Sequence, residues 1–352
     1  MGVFSFLKKS TSGSKFSTLP ILDVIPLTKE SVKLIFDTSK SDIDFNSFEP
    51  GQYVNIEVLI NNQTHRRSYS ICSSNSESLS IGVKRVEHGL VSNFLNDCKS
   101  GDVIKVFPPE GNFTSQNSLG KTVFIAAGSG ITPIISIIKS NPSREFQLFF
   151  GNKSSESTMF KEELDQLKNV RIKNFYSESE DEHTIKGRIT KDAFVNEIKQ
   201  NLDLLKSDEF MICGPHEMIL GVQEALKMFG VQDSKIKFEL FKVEKEDEVN
   251  THTKTESYSG PIDLEVELDD EISTFKAIDV NKTILDIIES QGLDAPYSCR
   301  GGVCSSCKAK VLEGQTEMKL NYSLTDEEVK EGYILTCQSL CKSEKVKITY
   351  DA

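Results

Sequence analysis

Cys299, Cys304 and Cys307 are separated by four and then two residues in Cys-Arg-Gly-Gly-Val-Cys-Ser-Ser-Cys, and Cys337 follows thirty positions after the third. Four soft, negatively charged thiolates at this spacing hold the two bridged irons of a plant-type two-iron, two-sulfur cluster. The intervening glycines let the loop bend tightly and aim backbone N–H groups at the sulfurs. A structural zinc site is the competing chemistry, but zinc ribbons use two short-spaced pairs, and the four-residue gap breaks that form. Cys341 competes with Cys337 as fourth ligand. Cys337 is preferred because it follows a short apolar strand, Tyr333 to Thr336.

A two-iron cluster carries one electron at a time, whereas a nicotinamide releases two as hydride, so a carrier able to do both, a flavin, must stand between them. Two upstream segments offer the matching chemistry. Arg67-Ser68-Tyr69-Ser70 lies on an expected strand, where a guanidinium can pair with a diphosphate, a phenol can stack on an isoalloxazine and a small hydroxyl can bond its reactive edge. After the apolar run Val123 to Ala127, Gly128-Ser129-Gly130-Ile131-Thr132-Pro133 turns into an expected helix, a geometry that admits a dinucleotide diphosphate to the backbone and the helix start. Pro133 stands where the full dehydrogenase fingerprint has a third glycine.

That Gly-x-Gly-x-x-Pro form and the Arg-x-Tyr-Ser tetrad together resemble the ferredoxin–NADP reductase superfamily, here with a C-terminal plant-type ferredoxin domain. The resemblance runs from about residue 17 to the end and implies FAD, NAD(P)H and a two-iron cluster as cofactors. It implies catalytic roles for Tyr69, Ser70, Cys213 and Glu239. Flavin binding falls to Arg67, Tyr69, Ser70, Val83, Lys84, the turn Gly89-Leu90-Val91-Ser92, and Phe241, an aromatic that covers the flavin. Pro109 to Phe113 resembles the loop that closes the flavin barrel. Nucleotide binding falls to Gly128, Ser129, Gly130, Thr132, Asn152, Ser177, Arg188, Cys213, Gly214 and Pro215. Taken alone, Cys213 reads as a buried strand residue, Glu239 and Phe241 as an edge strand, and the flavin turns as ordinary turns. At the 2′-position of the adenosine ribose, Lys153 and Arg188 favour a phosphate while Glu178, Glu180 and Asp181 oppose it, giving a slight preference for NADH.

The elements that must position these groups follow the same division. Short strands broken by turns, Ser31 to Asp37, Tyr53 to Leu59, Arg67 to Cys72, Leu79 to Val86 and Val103 to Phe107, predict a small antiparallel barrel or sandwich, and the resemblance implies an antiparallel β-barrel over residues 17–115. Strand and helix alternation predicts an α/β parallel sheet over 116–243. A polar stretch at 244–261 is an expected linker, and residues 1–16 an N-terminal tail. Residues 262–352 are expected to form a ferredoxin-type β-grasp α+β domain, with capping boxes at Thr283/Asp286 and Thr325/Glu328.

The net charge of -12 is uneven: residues 262–352 hold 18 of the 53 acidic and 10 of the 41 basic side chains. This argues against nucleic acid and allows a partner with a basic face. No apolar run approaches a membrane span, and no export signal is visible at Met1 to Lys9, so a cytoplasmic protein with reduced cysteines and no stable membrane association is expected. Within the superfamily, Pro296 to Cys299 and Met318 to Leu324 resemble most the branch that serves a ring-epoxidising di-iron oxygenase. No paired Glu-x-x-His is present here, so the electron-accepting oxygenase is expected to be another protein. A reductase of a Rieske dioxygenase, ketosteroid hydroxylase or desaturase would need the same chemistry in this chain. A redox-sensing flavin and iron-sulfur protein is the reading from another class.

Overall fold

The computed structural model describes residues 16–115, 120–179, 183–241, 258, 260–277, 279 and 281–352. Nearly all of the expected tail and linker, and Glu180 and Asp181, lie outside the described residues.

The first unit is an antiparallel barrel of β1 (Ser17–Thr28), β2 (Ser31–Phe36), β3 (Tyr53–Ile60), β4 (Gln63–Ser70), β5 (Ser80–Lys84) and β6 (Val103–Glu110), with helix α1 (Leu90–Asn96) after β5. The strand order is β4-β3-β6-β1-β2-β5, and a bridge from Ile71 to Ile81 joins the two ends. β1 escapes the sequence reading because Pro20 and Pro26 argue against a strand. Pro20 is the last residue paired with β6 before the strand passes to β2 at Ile21, and Pro26 adjoins a register shift in that second pairing. Leu19, Ile21, Leu34, Phe36, Val54, Ile56, Ile81 and Val83 fill the interior.

The second unit is a parallel sheet of β7 (Thr122–Ala127), β8 (Phe146–Asn152), β9 (Val170–Tyr176), β10 (Ile185–Lys186), β11 (Glu209–Gly214) and β12 (Ile236–Leu240), in the order β10-β9-β8-β7-β11-β12. Alternation along β7 feeds two cores. Phe124 and Ala126 pack under α2 (Ile131–Ser140) and α3 (Lys161–Gln166), while Val123 and Ile125 pack under α4 (Lys191–Gln200) and α5 (His216–Met228). Between barrel and sheet, Lys33 pairs with Glu163 at 2.9 Å and Lys139 with Glu77 at 2.7 Å, while Lys139 also reaches Glu163 within the sheet unit at 3.1 Å. Both lysines are nearly buried, so the two crossing pairs are largely screened from solvent.

The third unit is a mixed sheet of β13 (Ile262–Leu268), β14 (Glu271–Ala277), β15 (Lys308–Glu313), β17 (Tyr333–Leu335) and β19 (Lys345–Thr349), ordered β14-β13-β19-β15-β17. Helix α6 (Ile284–Ser290) buries Ile284, Leu285, Ile287 and Ile288 in its core. A small ladder joins β16 (Thr316–Met318) to β18 (Ser339–Cys341), and α7 (Asp326–Lys330) precedes β17. Thr325 and Glu328 cap α7 reciprocally. At α6 only half of the expected box forms: the Asp286 N–H donates to Thr283 Oγ1, but the Asp286 carboxylate accepts from the Thr283 hydroxyl instead of its backbone. Aspartate is one methylene shorter than the glutamate that closes such a box.

Candidate functional site

The flavin tetrad ends β4, and the two-residue alternation of a strand divides it. Arg67 is exposed, with its guanidinium donating to the Arg66 carbonyl at 2.6 Å, and Tyr69 packs partly into the barrel core. Burial holds the Tyr69 phenol above its ordinary range, so it stays neutral. Ser70 points the other way, and its hydroxyl donates to Glu239 Oε2 at 3.3 Å. Glu239 lies on β12 in register with Cys213 at the end of β11. Ser70, Cys213 and Glu239 thus converge from two units that are distant in sequence. The Glu239 carboxylate is enclosed although its side chain reaches the surface in part, and burial pushes it up to about 8. Burial, then the neighbouring Glu239, raises the fully buried Cys213 thiol well above its usual value.

Gly128, Ser129 and Gly130 form a tight turn between β7 and α2, with Gly128 at φ +53°. A Cβ on Gly130 would stand 2.1 Å from the Cys213 carbonyl oxygen, so only glycine lets this loop lie against the end of β11. Thr132 is buried and donates to the Ser129 carbonyl at 2.9 Å, pinning the turn. Pro133 falls in the first turn of α2, where its missing N–H leaves no helical bond unmade. Gly214 and Pro215 carry the chain from β11 into α5.

Lys84 ends β5 and reaches towards Gly128: a Cβ there would meet its Nζ at 3.8 Å. Val83 offers less than expected, since its side chain lies in the barrel core and its carbonyl accepts from Asn96 Nδ2 at 3.3 Å. Gly89 caps α1, with Leu90 exposed and Val91 buried. The Ser92 hydroxyl folds back to accept from Val86 N at 3.2 Å and donate to the Gly89 carbonyl at 3.3 Å. The side chain of Ser92 therefore holds the turn, and any contact to a diphosphate falls to the backbone N–H groups that open α1. Phe241, just past β12, is 40% exposed.

Asn152 ends β8 with its Nδ2 buried and without a hydrogen-bond partner. A buried amide left unpaired costs of order 1–3 kcal/mol, which a polar ligand would recover, and this orphan fits a nucleotide site. The Asn152 carbonyl accepts from Ser177 N at 3.0 Å, and Gly187 N donates to the Tyr176 carbonyl at 2.7 Å, which brings exposed Arg188 to the same edge. Lys153 pairs with Glu178 at 3.4 Å, an ion pair that sequence reasoning, weighing the two separately, missed.

The four cysteines of the spacing motif come together. Cys299 Sγ accepts from Gly301 N and Val303 N at 3.3 and 3.5 Å, and Cys304 Sγ accepts from Cys299 N at 3.4 Å. The Cys299 sulfur interacts with those of Cys304 and Cys337, and Cys337 with Cys307. Cys299, then burial, holds the Cys304 thiol well above its ordinary value. Thiolates crowded in this way repel one another, and a cationic iron pair would offset that repulsion, so the donor set fits the cluster. Cys341 instead lies in the domain core on β18, its thiol raised to about 11 by burial alone.

Three family models match in the same order: an oxidoreductase FAD-binding domain over residues 19–115, an oxidoreductase NAD-binding domain over 124–224, and a two-iron, two-sulfur cluster binding domain over 266–342. The chain is 32% identical to a component of 1,2-phenylacetyl-CoA epoxidase from Escherichia coli K12, over 96% of this chain and 98% of the relative. It is 29% identical to the ferredoxin reductase component of 3-ketosteroid-9-alpha-monooxygenase of Rhodococcus rhodochrous, with the same coverage. Among solved structures, phthalate dioxygenase reductase superposes with a TM-score of 0.60 at 22% identity, covering 95% of this chain and 98% of that one. The chain belongs to the ferredoxin–NADP reductase superfamily, in the branch that joins flavin and nicotinamide domains to a C-terminal two-iron ferredoxin domain.

Proposed function

We propose that this chain is the reductase component of a multicomponent oxygenase, taking hydride from NAD(P)H and passing single electrons to a separate di-iron oxygenase of the phenylacetyl-CoA epoxidase type. The observation that carries this reading is one locus where three units meet. Ser70 comes from the barrel and Cys213 with Glu239 from the parallel sheet, and the ferredoxin unit reaches the same place through Cys304, whose main-chain carbonyl accepts from the hydroxyl of Tyr53, the ladder partner of Ser70. When bound, FAD accepts two electrons and releases them singly, and the two-iron cluster carries them onward one at a time.

The protein's own groups do the rest. The Gly128–Gly130 turn and the start of α2 present backbone N–H groups to a dinucleotide diphosphate, and Asn152, Ser177 and Arg188 line its adenosine side. The Ser70 hydroxyl, which donates to Glu239, would bond the reacting edge of a bound flavin, and Cys213 would lie on the nicotinamide side. Enclosure holds Glu239 protonated below about pH 8, so it can keep a proton in the site without adding a charge.

The 32% identity to the epoxidase component supports the di-iron partner, and the ketosteroid relative supports a ketosteroid hydroxylase as the second reading. Among the described residues, no helix is long and apolar enough to cross a membrane. Removing residues 262–352 tests the division of labour: the remainder should oxidise NAD(P)H with ferricyanide and lose efficient reduction of cytochrome c. NADH oxidation coupled to product formation with a purified di-iron epoxidase would establish the partner. Coupling to a Rieske oxygenase alone would overturn it, and absence of turnover with any acceptor would favour a sensor.

A further inference from the structure

The cluster loop rests on the outside of the flavin barrel through Tyr53 and Asn55, which no motif marks, and through Ser68. The Tyr53 hydroxyl, on β3, donates to the Cys304 main-chain carbonyl, and Ser306 Oγ lies 3.2 Å from the same hydroxyl. Asn55, two residues on and therefore on the same strand face, donates from Nδ2 to Ser306 Oγ at 3.1 Å and to Glu110 Oε2 at 3.2 Å. The Ser68 hydroxyl, paired with Asn55 across the ladder, donates to Asn55 Oδ1 at 2.9 Å and to Ser298 Oγ at 2.8 Å. Those last two distances describe one proton shared between two acceptors, unless Ser298 donates back. At the rim, Arg66 reaches exposed Asp294 at 2.8 Å. Tyr53 and Asn55 are only 4% and 6% exposed, so this is a buried, connected polar network linking two domains.

A permanent joint between domains is normally apolar. Here hydroxyls and an amide meet a backbone carbonyl, and every one of them can bond water when the surfaces part, so separation forfeits only the small net value of each bond. Such a seat fixes register without fixing the domain irreversibly.

We propose that β3 and β4 carry a docking seat for the cluster loop, with Tyr53, Asn55 and Ser68 as positioning residues that hold Cys304 at the flavin side for one-electron transfer. Each transfer oxidises the flavin by one electron and reduces the iron pair by one, and the seat changes only how often the loop is in register for it. The inference rests on the functional reading above for the purpose of the docking, while the seat itself is a claim about two surfaces.

Hydrogen exchange on the holoprotein reads the seat, because loop amides shielded from solvent by docking exchange in proportion to the opening equilibrium. Tyr53→Phe, which keeps the ring and removes one bond, should speed exchange in residues 298–306 about fivefold, while 53–57, held in the barrel ladder, and 209–214 stay constant. The double variant Asn55→Ala/Ser68→Ala should exceed that. In a single turnover with NADH, the ratio of the cluster-reduction rate to the flavin-reduction rate should fall in the same order of variants. Wild-type exchange in both variants would overturn the seat, and faster exchange with an unchanged rate ratio would overturn its positioning role. Protein without iron, or without flavin reduction by NADH, would instead sink the functional reading and leave the exchange result standing.

Discussion

Replacing Gly130 with alanine tests whether the glycine turn acts through its packing on β11 or through backbone freedom alone. The new Cβ would lie 2.1 Å from the Cys213 carbonyl oxygen, 2.5 Å from its carbon and 3.0 Å from Gly214 N, all backbone atoms of a central strand. Restoring an ordinary 3.4 Å contact therefore requires the turn to retreat by about 1.3 Å, since β11 is held between β7 and β12. Overpacking of this kind costs about 1–3 kcal/mol, and a misplacement of about 1 Å between reacting groups costs on the order of 100-fold in rate. Gly128 is the control. Its φ of +53° strains alanine by about 1–2 kcal/mol, but the added Cβ meets only Lys84 Nζ at 3.8 Å. Stopped-flow flavin reduction by NADH, with flavin content measured in parallel, should show Gly130→Ala slowed about 100-fold and Gly128→Ala slowed about tenfold or less. Wild-type flavin reduction in Gly130→Ala, or equal damage from both substitutions, would refute the claim that close approach to Cys213 sets this geometry.

Cys337→Ser should lose iron and the visible cluster band, whereas Cys341→Ser should keep both and lose about 1 kcal/mol or more of stability from its buried place in the core, read by iron assay and urea denaturation. Lys153 is engaged by Glu178, so the chain should prefer NADH; Glu178→Ala frees that cation and should shift kcat/KM several-fold towards NADPH, an effect that weakens with added salt. Because burial raises Glu239 from its ordinary 4.5 to about 8, the folded state binds its proton more tightly than the unfolded one. The stability this provides is complete below pH 4.5 and lost as the pH rises to about 8, and Glu239→Gln should flatten that decline in denaturation curves taken across the window.

The cluster and its class are legible in the linear sequence because a plant-type cluster takes three of its four ligands from one nine-residue loop, so their spacing is local. The same holds for Gly128 to Pro133, where strand, turn and helix start are contiguous, and for the period-two and strand-helix patterns that separate the three units. The half-formed box at α6 and the missed β1 show the limit of such patterns: one depends on a methylene of reach, the other on a strand whose prolines fall at a change of partner and at a register shift. Sequence could not show Glu239 meeting Ser70, Lys153 meeting Glu178, the orphaned amide of Asn152 or the seat formed by Tyr53, Asn55 and Ser68. Each joins residues whose partners lie on other strands, loops or domains, and a serine, an asparagine or a tyrosine acquires a role only when its neighbours are buried with it. The types and spacing of the residues therefore determined which chemistry this protein carries, while the packing of barrel, sheet and ferredoxin unit decided which side chains face it, because burial and hydrogen-bond partnership belong to surfaces brought together by folding.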